Sequence, residues 1–241
     1  MGSTVVVAMD GPSGSGKSST ARGVADRLGL RYLDTGAQFR AMAVWMLRHD
    51  VDVNDAEAVA TRAADPVILS GTDPLEPTIT LDGEDVASEV RSAEATAAVS
   101  PVATVPAVRQ RLLELQREII SAALGEGGIV VEGRDIGSVV WPQAEVKLYL
   151  TADPAARAAR RAAENGSGSL EATEADLLRR DAIDSGRASA PLVVPEGALH
   201  LDTTPWELDE VIDRVVAIVE DAREQAVEQA SRGSAAQRTS S

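Results

Sequence analysis

The 241-residue chain contains no cysteine, which excludes a disulfide framework and a thiolate metal site and fits the reducing cytoplasm, where we expect the protein. Long apolar runs are also missing. None approaches the roughly 20 residues of a membrane span, and no basic segment followed by an apolar stretch indicates a signal peptide. Positive charge is scarce, with 23 basic against 38 acidic residues and a net charge of −15. That balance argues against general binding to nucleic acid or to an anionic membrane.

Lysine is nearly absent, since Lys17 and Lys147 are the two lysines and all other basic residues are arginines. Lys17 nevertheless belongs to a Gly-x4-Gly-Lys-Ser pattern at residues 11–18. A strand-like apolar run precedes the pattern and a helix-like run follows it, as a phosphate-binding loop requires. The sequence therefore predicts a protein that binds a nucleoside triphosphate.

The chemistry of such a loop assigns a role to each part. Its glycines let successive N–H groups point at a phosphate chain, and the following helix adds positive potential at its N-terminus. Lys17 would contact the outer phosphates, and the Ser18 hydroxyl would coordinate Mg²⁺. ATP and Mg²⁺ are therefore the expected cofactors. The residues predicted to bind ATP are Gly11, Pro12, Ser13, Gly14, Ser15, Gly16, Lys17, Ser18 and Ser19.

Strand-like and helix-like segments alternate along most of the chain. The predicted strands are 4–9, 31–33, 128–132, 145–150 and 198–201, and the predicted helices are 17–28, 36–48, 106–124, 154–164, 173–184 and 205–229. This alternation predicts an α/β fold, the three-layer P-loop fold, with a five-stranded parallel sheet flanked by helices. The last helix has a start signal at Thr204-Pro205, a Thr N-cap followed by Pro.

Three segments interrupt the alternation. Residues 66–90 suggest a hairpin with an Asp82-Gly83 turn, so a small α+β subdomain is predicted at 63–103, inserted into a core of residues 1–62 and 104–222. The Gly/Ser run at 165–169 suits a helical lid at 157–180, although an ordinary surface loop has the same composition. The polar residues 223–241 predict a frayed helix end and a disordered tail.

Other P-loop classes lack their second motif in this sequence. A GTPase needs an Asn-Lys-x-Asp motif, and neither lysine lies in one. A motor-type ATPase usually carries four apolar residues that end in Asp. Here the apolar residues 128–131 lead into Glu132-Gly133-Arg134-Asp135, which puts an arginine where a phosphate would lie.

Three further motifs accompany the loop. Residues 33–40 (LDTGAQFR) follow the second predicted strand, residues 132–137 (EGRDIG) follow a core strand, and residues 180–192 are rich in arginine and aspartate. At the first motif, the Thr35 hydroxyl and the amides of Gly36 and Ala37 predict a second anion site. In order and spacing the set resembles the bacterial cytidylate kinases, over residues 4–220. That resemblance implies transfer of the γ-phosphoryl group of ATP to CMP or dCMP, by a monomer that binds neither nucleic acid nor membrane.

The resemblance also implies site residues and makes the inserted subdomain the one that binds the nucleoside monophosphate. Thr35, which replaces the family's usual Ser, would hold the acceptor phosphate with two arginines. The residues implied to bind CMP are Thr35, Arg40, Ser100, Arg109, Gly133, Arg134, Asp135, Asp184 and Arg187. Those implied to act in catalysis are Lys17, Arg134, Arg157, Arg161 and Arg180. The chain departs from the family at Phe39, where Tyr is usual, and at Gln38, where an aliphatic residue is usual.

Two of these residues are chemically suited to cytosine. The base offers an N4 donor beside N3 and O2 acceptors, so a carboxylate such as Asp135 and a guanidinium such as Arg109 match its edge. Uracil presents an acceptor in place of the donor and would leave the carboxylate unpaired. The sequence thus predicts a preference for CMP over UMP.

Other interpretations stay open at this stage. Arg157, Arg160 and Arg161 share a helix face by spacing, which would also suit an exposed charged surface. Asp184 and Arg187 could form a simple helical ion pair, and serine at position 100, before a proline, could simply end a helix. A kinase for uridylate, adenylate or shikimate, or a nucleotide switch without an acceptor, would share the P-loop.

Overall fold

The predicted alternation of strands and helices is present in the computed structural model, which describes residues 4–165, 169–187 and 190–238. The α-helices there are α1 (Lys17–Leu28), α2 (Thr35–Arg48), α3 (Ala56–Arg62), α4 (Ala93–Val102), α5 (Pro106–Leu124), α6 (Pro154–Asn165), α7 (Leu170–Gly186) and α8 (Leu208–Arg238). The strands are β1 (Val5–Asp10), β2 (Arg31–Asp34), β3 (Ile68–Ser70), β4 (Ile79–Leu81), β5 (Glu84–Asp85), β6 (Gly128–Glu132), β7 (Val146–Thr151) and β8 (Leu199–Asp202). Short 3₁₀ and π turns lie at Glu89–Arg91 and Ile136–Val140. None of the described helices combines the length and apolar character of a membrane crossing.

A parallel sheet of five strands forms the centre of the molecule, in the order β2-β6-β1-β7-β8. This confirms the predicted α/β fold. The strand β1 is buried along its whole length, because it lies between β6 and β7. In the register of the sheet, Glu132 of β6 is paired with Asp34 of β2 and with Met9 of β1. The P-loop, the start of α2 and the end of β6 therefore meet at the carboxyl edge of the sheet, where α/β proteins bind their ligands.

Helices cover the sheet on both faces. On one face, α1 and α8 pack through side chains such as Val24 and Val215, both fully buried. On the other face, α5 contributes Ile120, which packs with Val131 of β6. The central strands β1 and β6 read as nearly continuous apolar runs, because both of their faces are covered.

The predicted insertion contains a three-stranded antiparallel sheet in the order β3-β4-β5. Asp82 and Gly83 both have positive φ, 52° and 86°, as a two-residue hairpin turn with the twist of its strands requires. The side chains of Ile68 and Leu81 share a core with α2, α4 and the start of α5. The helix α3 was not predicted; it begins after Asp55, whose side chain caps it by accepting two backbone N–H groups.

The predicted start of the last helix is wrong. Thr204 and Pro205 lie in a turn, and α8 begins at Leu208. The Thr204 hydroxyl donates to Asp202 instead of capping the helix, while the Glu210 carboxylate accepts the N–H of Glu207 at 3.0 Å. A carboxylate that reaches back over three residues is half of a capping box, so the functioning start signal lies three residues later.

The C-terminal end of α8 and the N-terminal end of α7 also differ from the sequence-based expectation. α8 continues to Arg238, past residue 223, where composition predicts the tail to begin; Ala, Glu, Gln and Arg are strong helix formers there. α7 begins at Leu170, after Ser169, whose hydroxyl accepts the N–H of Ala172 at 3.5 Å. Residues 166–168 of the Gly/Ser run at 165–169 lie outside the described residues.

Candidate active site

The P-loop follows β1 and leads into α1, as its motif predicts. Gly11 has φ +145°, and a Cβ there would lie 2.0 Å from the carbonyl oxygen of Leu150, so only glycine fits. Lys17 is 5% exposed, and its Nζ donates to the Pro12 carbonyl at 2.7 Å. Burial lowers the pKa of Lys17, and the positive charge of Arg134 lowers it further. The Lys17 ammonium also lies 3.4 Å from the Ser15 hydroxyl, so its hydrogen-bond acceptors in the loop are uncharged oxygens.

The Ser18 hydroxyl is linked to the end of β6. It donates to Glu132 Oε2 at 2.8 Å, and the Tyr32 hydroxyl donates to the other oxygen of the same carboxylate. Burial raises the pKa of Glu132. Hydroxyl and carboxylate oxygens are the hard donors that Mg²⁺ prefers. Within the described ranges no cluster of three or more His, Cys, Asp or Glu side chains is arranged to hold a metal ion.

Asp10, the last residue of β1, fixes the turn that carries Asp135. Its two carboxylate oxygens accept the N–H groups of Ile136 and Gly137, each at 2.8 Å. Burial raises the pKa of Asp10 to about 6, although both hydrogen bonds oppose the shift. The side chain thus ties the central strand to the residue expected to recognise the base.

The second predicted anion site differs from its sequence-based description. The Thr35 hydroxyl donates to the Glu132 carbonyl at 2.7 Å, and the Ala37 amide donates to Asp34 Oδ1 at 2.8 Å. Both groups therefore already have partners: the Thr35 hydroxyl bonds to β6, and the Ala37 amide bonds to Asp34, the N-cap of α2. Arg40 lies beside them and donates to Asp34 Oδ2 at 3.1 Å.

Gly133 packs closely against this region. A Cβ at Gly133 would lie 2.7 Å from Thr35 Oγ1. A side chain at this position would have to displace Thr35 or Ile136, so glycine lets the chain after β6 lie close to α2.

Arg109 and Asp135, the residues predicted to read cytosine, are brought together. They form a buried ion pair, and Arg109 also donates to the Ala103 carbonyl at 3.2 Å. Burial raises the pKa of Asp135, and Arg109 opposes this. The pair lines a cavity of about 270 Å³, and Phe39 and Pro106 also line it. The guanidinium lies 5.4 Å from the Phe39 ring centre.

Asp184, Arg134 and Arg187 form a second cluster beside this cavity. Arg134 Nε donates to Asp184 Oδ2 at 3.0 Å, and Arg187 Nε donates to the Asp184 carbonyl at 3.1 Å. Asp184 and Arg187 are an ion pair at 3.8 Å, as the simplest interpretation of their spacing predicts. Asp184 also forms an ion pair with Arg134, which follows β6, so it takes part in more than the helical pair with Arg187.

The three arginines of α6 that share a helix face by spacing, residues 157, 160 and 161, do not form one exposed surface. Arg157 is 5% exposed, donates to the Ser13 carbonyl at 3.0 Å and pairs with Asp181. Arg160 turns toward the end of β8 and donates to the Thr203 hydroxyl and carbonyl at 2.8 and 2.7 Å. Arg161 lies on α6 and is half-buried. Arg157 therefore makes direct contact with the P-loop through Ser13.

Four of the predicted site arginines carry buried N–H groups without a hydrogen-bond partner among the described residues. The atoms are Arg40 Nε, Arg157 Nε, Arg180 Nε and Arg187 Nη2. Burial lowers the pKa of Arg180 to about 10, and the charge of Arg134 adds to this. Unpaired buried donors are costly, and an array of them with excess positive charge is suited to an anion.

Two predicted residues lie at less decisive positions. Ser100 is buried inside α4, which continues through Pro101 to Val102, so the interpretation that this serine ends a helix is wrong. Proline in the last turn is tolerated here. Ser19 is exposed in the first turn of α1.

Several polar residues of the site were missed by the sequence analysis. Asp181 contacts Ser13 and Arg157, and Asp10 holds the turn after Asp135. Tyr32 donates to Glu132, which received no role of its own. Asp10 and Glu132 could have been found from one signal, an acidic residue directly after a buried apolar strand. Tyr32 and Asp181 offered no such signal, because their partners are distant in sequence.

Comparison with known proteins gives a consistent result. The sequence model of one family, described as cytidylate kinase, matches residues 7–221. The cytidylate kinase of Streptomyces griseus is 55% identical over 92% of this chain and 95% of its own length, and that of Rhodococcus opacus is 48% identical over 90% and 95%. Among solved structures, the shikimate kinase of Acinetobacter baumannii in complex with shikimate is 13% identical, with a TM-score of 0.45 over 90% of this chain and 94% of that one. Because the family model matches residues 7–221 and these two relatives are 55% and 48% identical over at least 90% of the chain, the chain belongs to the cytidylate kinase family.

Proposed function

We propose that this protein transfers the γ-phosphoryl group of ATP to CMP or dCMP and releases ADP with CDP or dCDP. Membership of the cytidylate kinase family supports the reaction class, and the names of the relatives support the acceptor. The observation that carries the proposal is the buried Arg109–Asp135 pair, which lines a cavity. Other site arginines carry buried N–H groups that have no hydrogen-bond partner within the described part of the chain. That arrangement suits a ligand with a polar base at one end and a phosphate at the other.

Charge neutralisation and positioning are the chemical tasks of the site. The acceptor atom is an anionic phosphate oxygen, so the reaction needs no strong general base; it needs alignment and stabilisation of the transferring group. Lys17 contacts the donor phosphates, and Arg157 and Arg180 neutralise the charge that develops between donor and acceptor. Arg161 is assigned to the same group by its place on α6. Mg²⁺, held by Ser18 and the ATP phosphates, supplies further positive charge when bound.

The acceptor is oriented by three groups of residues. Arg40 and Arg134, with Thr35 and the Gly133 backbone, hold its phosphate. Asp184 and Arg187 hold the sugar. For these roles Arg134 and Arg187 exchange part of their contact with Asp184 for contact with the nucleotide.

Base recognition rests on Arg109, Asp135 and Ser100. The Asp135 carboxylate accepts the N4 amino group of cytosine, and Arg109 donates to its acceptors. UMP presents a carbonyl to the carboxylate. A site built to bond a particular group discriminates against an analogue that lacks it by up to roughly 10⁴–10⁵-fold.

The remaining expectations are proposals of the same kind. Residues 63–103 act as the monophosphate-binding subdomain and residues 157–180 as the lid, within a core of 1–62 and 104–222. The enzyme works as a cytoplasmic monomer on free nucleotides, without nucleic-acid or membrane partners.

ADP release from Mg·ATP, measured with CMP, dCMP, UMP and AMP at equal concentration, tests the function. We expect strong release with CMP and dCMP and weak release with UMP and AMP. Equal release with UMP would contradict the assignment of the base site. Slow release that ignores every acceptor would contradict the phosphotransfer reaction and indicate a nucleotide switch.

A further inference from the structure

A carboxylate contacts the P-loop where a phosphate would be expected. Asp181, on α7, accepts the N–H of Ser13 through Oδ1 at 3.2 Å. Its other oxygen pairs with Arg157, which in turn donates to the Ser13 carbonyl at 3.0 Å. The three residues close a ring that joins α6, α7 and the P-loop.

Both partners of this carboxylate are groups that bind anions in a P-loop kinase. Ser13 N–H is one of the loop amides, and an amide in such a loop is oriented toward bound phosphate. Arg157 is 5% exposed and carries a buried Nε without a partner among the described residues, so its capacity for an anion is only partly used. The negative charge of Asp181 also acts to raise the pKa of Lys17, the lysine of the loop, against the lowering by burial.

The backbone around this ring leaves little space for a second anion. A Cβ on Gly14 would lie 3.1 Å from both the Cβ and the carbonyl oxygen of Arg157, so α6 lies directly against the loop. Two negative groups cannot share the Ser13 amide and the Arg157 guanidinium without repulsion. A phosphate that takes these donors has to displace Asp181.

We propose that Asp181 is an internal substitute for a phosphate group: it occupies the Ser13 amide and Arg157 while no nucleotide is bound and gives them up to the ATP phosphates. The contact satisfies two donors that would otherwise be buried and unpaired, and it keeps α7 against the loop until the donor arrives. Molecules in which Asp181 occupies these donors cannot bind a polyphosphate there. The apparent affinity for a polyphosphate is therefore reduced in proportion to the fraction of molecules in which the donors are free.

This proposal depends on the P-loop binding ATP, which the proposed function includes, but not on the identity of the acceptor. Inorganic tripolyphosphate is a suitable probe, since it carries the phosphate chain without the adenine or the sugar. Its dissociation constant is measured by calorimetry on the full chain, without acceptor, for wild type and for Asp181→Ala.

We expect Asp181→Ala to bind tripolyphosphate about three- to tenfold more tightly than wild type, because the competing carboxylate is gone. Asp181→Asn, which keeps the shape but loses the charge, should lie between the two and also serves if the alanine variant folds poorly. Asp176→Ala is the matched control, since Asp176 lies on the same helix in an exposed pair with Arg179, and its affinity should equal that of wild type.

Unchanged or weaker binding by both Asp181 variants would overturn the proposal and make Asp181 a structural brace for Arg157. An equal gain in Asp176→Ala would overturn it as well, since the effect would then be one of net charge. Absence of binding by every protein would contradict the P-loop assignment, and with it both this proposal and the proposed function. Tighter binding by Asp181→Ala together with no CMP-dependent ADP release would contradict the proposed function alone.

Discussion

Arg109 of α5 and Asp135, which follows β6, form an ion pair whose side chains are 10% and 8% exposed. The two residues are far apart in sequence, and each is held by a further contact: Arg109 by the Ala103 carbonyl, and the turn after Asp135 by Asp10. A buried pair of this kind is costly to desolvate and contributes little to stability by itself. Its position in a cavity is the arrangement that the proposed recognition of a base with complementary donors and acceptors requires.

Replacement of Lys17 by alanine should abolish most of the activity. The substitution removes a positioned charge that stabilises the transferring phosphoryl group, and loss of one such donor typically costs on the order of 10²–10³ in rate. Steady-state ADP release with CMP measures the loss. Lys147→Ala is the control, because Lys147 is the other lysine and donates to the Glu196 carbonyl outside the site. Near-wild-type turnover by Lys17→Ala would contradict its role.

Replacement of Arg187 by alanine should impair use of the acceptor far more than use of ATP. Arg187 has a buried Nη2 without a partner among the described residues, and we assign it to the sugar of the acceptor. We expect a rise in KM for CMP of about tenfold or more, from one lost charged hydrogen bond, with KM for ATP little changed. Arg179→Ala, in an exposed pair on α7, is the control. Wild-type kinetics with CMP would show that the assignment is wrong.

Tyr32→Phe should destabilise the fold. The Tyr32 hydroxyl donates to the buried Glu132 carboxylate, and removal of a donor from a buried charged group costs about 1–3 kcal/mol. Urea unfolding followed by far-UV circular dichroism gives the free energy of unfolding. The control is Tyr149→Phe, the chain's other tyrosine, whose ring packs edge-on to His200. Equal stability losses in the two variants would argue against a special role for the Tyr32–Glu132 bond.

Asp10 should make the protein less stable as the pH rises. Burial raises its pKa from 3.8 to about 6, so between these values the folded state binds more protons than the unfolded state. Stability from this group is therefore present below pH 4 and is lost as the pH rises through 6, by roughly 3 kcal/mol in total.

The pH effect is measured as the difference in unfolding free energy between wild type and Asp10→Asn, from pH 4 to pH 7. Asparagine does not titrate and contributes a constant offset, since it can accept only one of the two backbone N–H groups. We expect the advantage of wild type to shrink with rising pH. A difference that is flat or grows with pH would contradict a raised pKa.

The parts of the molecule that could be predicted from the sequence are those determined by local pattern. Gly128–Glu132 and Lys17–Leu28 have their predicted bounds, because an uninterrupted apolar run and a motif with fixed context leave few alternatives. The predicted start of α8 was wrong because two possible start signals lie three residues apart, at Thr204 and Glu207. Only tertiary contacts select between them. The sequence could not show that the Thr35 hydroxyl already has a partner, because that partner, the Glu132 carbonyl, belongs to a strand that is adjacent in space but distant in sequence.

Contacts between distant elements account for the rest. Tyr32, Glu132 and Ser18 come from β2, β6 and α1, and only the register of the sheet brings them together. The same is true of Asp181, which reaches the P-loop across 168 residues of sequence. A motif can identify the residues that touch a ligand, but the residues that hold them in position depend on packing.

The central claim, recognition of cytidine monophosphates through Arg109 and Asp135, is tested most directly by competition. Equal concentrations of CMP and UMP are mixed with Mg·ATP, and the initial rates of CDP and UDP formation are compared by chromatography. We predict that wild type forms CDP in large excess and that Asp135→Asn, in which the carboxylate becomes an amide, loses most of that excess. Equal formation of CDP and UDP by the wild-type enzyme, or an unchanged ratio in Asp135→Asn, would contradict the claim.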